Sequence, residues 1–139
     1  MVRVNLISPS RLSDQHLIAE YNELLMLMGY VKKYPHLVGI PRDYCLGKGH
    51  ILFFKDKLSY IKKRHEILKI EMKRRKFKTD KTIDLSKFGK ELVKDWQPSE
   101  KDFNIIKERI SWKINSKPHF HRYYGEQKSQ RFFLNLLNG

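Results

Sequence analysis

A single cysteine, Cys45, is too few for an intramolecular disulfide, so no covalent staple of that kind holds this 139-residue chain together. No apolar run approaches the length of a membrane span. The first residues lack the long apolar segment of a secretory signal. These absences lead to the expectation of an intracellular protein with no membrane contact. Repeats and low-complexity stretches are also missing. The most telling shortage is local: residues 12 to 31 contain no Lys or Arg, although the chain has 29 Lys+Arg against 15 Asp+Glu, a net charge of +14. That segment holds Asp14, Glu20 and Glu23 instead.

A strongly basic surface is the usual electrostatic footprint of a partner that is a polyanion. Carboxylates facing such a partner are repelled by it and lower affinity unless they have another task. The conflict points to an enzyme acting on nucleic acid. At 139 residues with 40% hydrophobic content, the chain is long enough for one domain, 1–139, with its own core.

Apolar spacing predicts three principal helices. Ser10 or Ser13 can cap the first, in which Leu17, Tyr21, Leu24 and Met28 recur at helical intervals before a stop at Gly29. Beside that stripe runs a second, His16, Glu20, Glu23 and Leu27. A Gly/Pro-rich connection ends in Gly47-Lys48-Gly49-His50, whose glycines suit a tight turn. A second helix is expected from about 51 to 76, with Phe54, Leu58, Ile61, His65, Leu68 and Met72 as its buried seam. Its outer face is cationic: residues 55 to 78 carry 11 Lys+Arg and 3 Asp+Glu, a net +8. Ser99 and Asp102 have capping-box spacing ahead of a third helix reaching about 115. Long irregular connections argue against a regular bundle, and the expectation is a mainly α domain. Trp96 and Trp112 are read as core residues.

Lys62, Lys63, Arg64, Lys73 and Arg74 are the candidates for phosphate contact, with affinity expected to fall as salt rises. Arg122, Tyr123 and Tyr124 interleave charge and aromatic surface, suited either to packing or to stacking beside DNA. His119 and His121 are a weak metal motif, and no metal site or cofactor is expected. Glu20 and Glu23 stay open between two readings. They either pair with the basic second helix or stand as catalytic carboxylates in a cationic groove. An α-amine, with a pKa of roughly 7.7–8.0, is a usable nucleophile near neutral pH, but every protein has one.

Three blocks of residues resemble the pyrimidine-dimer DNA glycosylase family. The first comprises Arg3, Asn5 and Leu6, then the run from Leu12 to Leu24 containing Asp14-Gln15-His16-Leu17 and Ala19-Glu20-Tyr21. The second runs from Leu46 to Leu58 and on through Lys63-Arg64 towards Lys73-Arg74. The third is Tyr123-Tyr124-Gly125. The resemblance implies a compact, mainly α fold with an N-terminal arm threaded between helices. It implies an N-glycosylase for cyclobutane pyrimidine dimers in duplex DNA, coupled to abasic-site β-elimination, with no cofactor and no obligate protein partner. The α-amine of Val2, freed by loss of Met1, would be the nucleophile, and Glu23 the essential carboxylate. Arg3, Gln15, His16 and Asn22 would line the site or the DNA around it, and a base would be flipped from the duplex. The enzyme would act as a monomer wherever its DNA resides. Family arginines that serve DNA binding are Asn22 and Met26 here, and a family threonine is Val2. Another damaged base, abasic sites alone, or binding without catalysis therefore stay open as alternatives.

Overall fold

In the computed structural model, which describes residues 2–139, five α-helices and one small hairpin surround an extended N-terminal arm. Helix α1 spans Asp14–Lys33 and begins with the Ser13 side chain accepting from the His16 backbone N–H. It passes through Gly29, the expected stop, because Leu24, Leu27, Met28 and Val31 continue its buried stripe for another turn. Lys32 and Lys33 then complement the dipole at its C-terminus.

The expected second helix is two helices, α2 (Gly49–Phe54) and α3 (Leu58–Arg74). Tertiary pairing explains the break. Lys57 forms an antiparallel bridge with Val93, Ser59 N–H donates to Lys94 O, and Lys94 N–H donates to Asp56 O. The local helical pattern yields because a later segment takes these backbone groups. Gly47 does sit in the left-handed region, with φ at 76°, at the turn into α2.

Helix α4 (Glu100–Ser116) starts at the expected capping box of Ser99 and Asp102. The chain then forms strands β1 (Arg122–Tyr123) and β2 (Glu126–Gln127), joined through Tyr124 and Gly125, both with positive φ. Such a two-residue turn matches the twist of its strands. Helix α5 (Gln130–Asn138), absent from the sequence expectation, is capped by Ser129 and buries Phe133 and Leu137 one turn apart. The fold is thus a mainly α single domain, with five α-helices among the described residues rather than three principal ones.

Helices α1 and α3 pack along the two anticipated seams. Leu17, Leu24, Leu27, Phe54, Leu58, Ile61 and Leu68 are inaccessible to solvent. Truncating one of them, such as Leu24→Ala, should cost about 2–5 kcal/mol of stability. Val4 is equally inaccessible, and Val2, Leu6 and Ile7 are buried, so the arm is part of the core. No helix among the described residues is long and apolar enough to cross a membrane.

Candidate active site

Two side chains peg the arm through its backbone. Val4 N–H donates to His50 Nε2 at 2.8 Å, and the Tyr44 hydroxyl donates to Val4 O at 3.1 Å. Since His50 Nε2 accepts, its proton resides on Nδ1, which lies 2.9 Å from Cys45 O. Burial pushes the His50 pKa down to about 4, so the neutral tautomer that holds the arm persists at neutral pH. The pegged arm brings the Arg3 backbone N–H to the Glu23 carboxylate on α1.

Glu23 opens into a cavity of about 740 Å³, shared with Arg3, Gln15 and His16 on one side and α4 on the other. Its pKa is raised, first by burial, with the Arg3 N–H and the Arg3 charge acting against the rise. Desolvation outweighs the nearby positive charge. A more basic carboxylate is better suited to accept a proton. Burial, and then the Arg109 guanidinium, lower the Arg3 pKa, the signature of two like charges facing one space.

The rest of that wall is organised by cross-chain bonds. Gln15 donates to Phe120 O at 3.2 Å and accepts from Arg122 N–H at 2.9 Å, tying α1 to the segment ahead of the hairpin. His16 stacks on His121 with ring centroids 5.0 Å apart, and its Nδ1 lies 3.0 Å from Ser13 Oγ. Burial, followed by His121 and Lys113, pushes the His16 pKa down to about 4. His121 is buried whereas His119 is exposed, so the two imidazoles do not share a face.

The other carboxylates of α1 are structural. Glu20 is buried under a two-pronged pairing with Arg64, 2.7 Å from Nε and 2.9 Å from Nη2, while Arg64 Nη1 donates to Ile7 O at 2.6 Å. Arg64 was expected to contact phosphate; its guanidinium is consumed inside the protein, so that role is withdrawn. Of the two readings of Glu20, pairing with the basic helix is correct. Asp14 accepts from Arg75 Nη1 at 3.0 Å and from the Tyr124 and Gly125 backbone N–H groups at 3.1 and 2.8 Å. Arg75 also bonds Glu71, Leu12 O and Pro9 O, and its guanidinium lies 4.5 Å from the Tyr123 ring centroid and 4.9 Å from that of Tyr124. This hub sets the hairpin against the first turn of α1.

The remaining candidates are spread out. Lys62 donates to Ile83 O, and Lys63 pairs with Asp95 at the surface. Lys73 and Arg74 are exposed at the end of α3, Arg74 lying 3.4 Å from Glu71. Tyr124 also reaches Glu71, at 2.9 Å, so the end of α3 and the hairpin form one surface, with Arg122 exposed on it. Tyr123 is half-buried, its hydroxyl donating to Ser10 O. Asn22 is exposed on α1.

Sequence reasoning missed the α4 wall. Arg109, Lys113 and Lys117 line the cavity, and none of them forms an ion pair among the described residues. The spacing of four puts Arg109 and Lys113 on one face of α4, with Lys117 just past its end, and that spacing was the readable signal. Trp112, assigned to the core, is 56% exposed and lines the same cavity. Trp96 is half-buried among Tyr44, Phe53, Phe54 and Tyr60.

The sequence model of the family described as pyrimidine dimer DNA glycosylase matches residues 1–85, more than half of the chain. The chain belongs to the pyrimidine dimer DNA glycosylases. It is therefore an enzyme of DNA repair, of the glycosylase and abasic-site lyase type. The matched part contains the arm, α1, α2 and α3, hence Arg3, Gln15, His16 and Glu23. The α4 wall and the hairpin of this glycosylase lie beyond it.

Proposed function

We propose that the protein, as a single domain over residues 1–139, excises cyclobutane pyrimidine dimers from duplex DNA and cleaves the strand at the resulting abasic site. The Val2 α-amine, exposed by removal of Met1, would act as the nucleophile. The observation that carries this reading is the cavity in which the Glu23 carboxylate meets Arg3, the residue next to Val2. Met1 itself lies outside the described residues.

The neutral amine attacks C1′ of the damaged nucleotide as the bond to the base breaks, the base leaving with the electron pair. Loss of the amine proton and opening of the sugar ring give a protonated imine, an electron sink adjacent to C2′. Glu23 accepts a C2′ proton, and the bond from C3′ to its oxygen breaks with the electron pair leaving on the phosphate. Water then hydrolyses the imine and restores the amine. No step calls on a cofactor. The raised basicity of Glu23 favours the proton transfer, and a cavity open to Arg3, Arg109, Lys113 and Lys117 favours a phosphate-bearing strand. Lys73, Arg74, Arg122 and Tyr124 would extend DNA contact over the neighbouring surface, and Gln15 would hold that surface in register with the site.

Borohydride reduction in the presence of abasic-site duplex tests the chemistry. Protein whose mass establishes Val2 as its first residue should form a covalent adduct, recovered on the Val2 peptide. No adduct, or one confined to a lysine, would reject the amine mechanism. Cleavage of dimer-containing, oxidised and abasic duplexes compared side by side separates dimer excision from action on another lesion.

A further inference from the structure

Trp112 has no packing role that accounts for it. It occupies α4 with 56% of its surface exposed, yet it borders the cavity that holds Glu23. The Arg109 guanidinium lies 4.7 Å from its ring centroid and the Lys113 ammonium 5.7 Å away. Beyond the helix end the pattern recurs: Phe120, also exposed, lines the cavity with the Lys117 ammonium 5.0 Å from its ring. Two exposed rings bordering one cavity form an apolar patch rimmed by charge, the kind of surface that marks a binding site. Flanking cations that pair with no carboxylate among the described residues make an anionic occupant the fitting one. An aromatic face beside phosphate-binding cations is the arrangement that holds an unstacked nucleobase.

We infer that Trp112 is a lesion-sensing stacking platform: it receives the face of a base displaced from the duplex at the damaged site, while Arg109 and Lys113 hold the flanking phosphates. The inference rests on the proposed repair reading and adds the group that distinguishes damaged from intact DNA. In intact duplex every base face is already covered by its neighbours, so the indole gains nothing. At a lesion one face is freed at lower cost. Trp112 should therefore contribute to binding of damaged DNA and not of intact DNA, unlike a lysine, which contributes to both.

The test uses the full chain and a duplex carrying one tetrahydrofuran abasic analogue, which binds but cannot form an imine. Trp112→Ala should weaken binding of that duplex about tenfold, with binding of the intact duplex changed less than twofold. Trp112→Phe should restore most of the difference. In a Trp96→Phe background, where Trp112 is the sole indole, its fluorescence should be quenched by the lesion duplex and much less by the intact one. Equal weakening of both duplexes, no weakening of either, or identical quenching would overturn the inference. Borohydride trapping of the wild-type protein keeps the two claims apart. Trapping with no Trp112 effect sinks only the platform, whereas failure to trap sinks the repair chemistry on which it stands.

Discussion

The two walls of the cavity are built on different principles. The arm and α1 present groups already committed to internal contacts: Gln15 to the segment before the hairpin, and His16 to Ser13 and His121. The α4 wall presents Arg109, Lys113 and Lys117 without carboxylate partners among the described residues, and aromatic surface open to solvent. One wall is preorganised, as a site must be if it is to hold reacting atoms in place. The other keeps its charge for a ligand. A similar division runs along α1 itself: Glu20 and Glu23 both border the cavity, but Glu20 is engaged by the buried Arg64 guanidinium.

The sharpest way to break this comparison is to exchange the fates of those two glutamates. Glu23→Gln should reduce single-turnover cleavage of abasic duplex by about 100- to 10,000-fold, while DNA affinity is retained or improved. Its unfolding in urea should match that of the wild type. Glu20→Gln should do the reverse. It removes the counter-charge and one of the three acceptors of the buried Arg64 guanidinium, and loss of one member of a buried pair costs about 3–5 kcal/mol. Urea denaturation measures that loss, and cleavage per folded molecule should be nearly unchanged. If the two variants behave alike, the division along α1 is wrong.

A smaller effect separates the cations of the α4 wall from one already paired at the surface. Lys113→Ala and Lys117→Ala should each reduce the slope of log affinity against log salt by about 0.9. Lys63→Ala, which removes a surface partner of Asp95, should change the slope less. The smallest effect is one of pH. His16 and His50 both have pKa values pushed down to about 4, so the folded protein does not take up their protons near pH 5.5 while the unfolded chain does. Stability from these two groups is therefore lost as pH falls from about 6.5 towards 4. Between pH 7 and 5.5 each should cost about 1 kcal/mol, seen as a lower melting temperature. Chemical-shift titration of the two imidazoles gives the matching check.

How much of this was readable depended on whether a signal was local. The seams of α1 and α3 and the Ser99–Asp102 cap were legible because periodicity and capping act within one or two turns. The break at residues 55–57 was not, since the groups that enforce it, Val93 and Lys94, arrive from more than thirty residues away. Arg64 shows the same limit. In a run of lysines and arginines nothing local separates the one that turns inward from those that stay in water, and its burial follows from Glu20 on another helix. Trp112 erred in the opposite direction: a large aromatic on a helix reads as core, and only the packing around α4 leaves it outside.

Composition and spacing were sufficient for a mainly α chain with a cationic surface and an anomalous acidic helix, and family blocks were sufficient for the class of chemistry. Net charge and helical period survive any arrangement of the chain in space, so they can be counted along it. Which carboxylate is spent on a buried arginine, which remains at the cavity, and which aromatic faces solvent depend on contacts between distant segments. Those contacts exist once the arm is pegged by His50 and Tyr44 and α4 closes over α1. Desolvation and pairing, the two effects that assign each charge its role, are properties of that assembled interior.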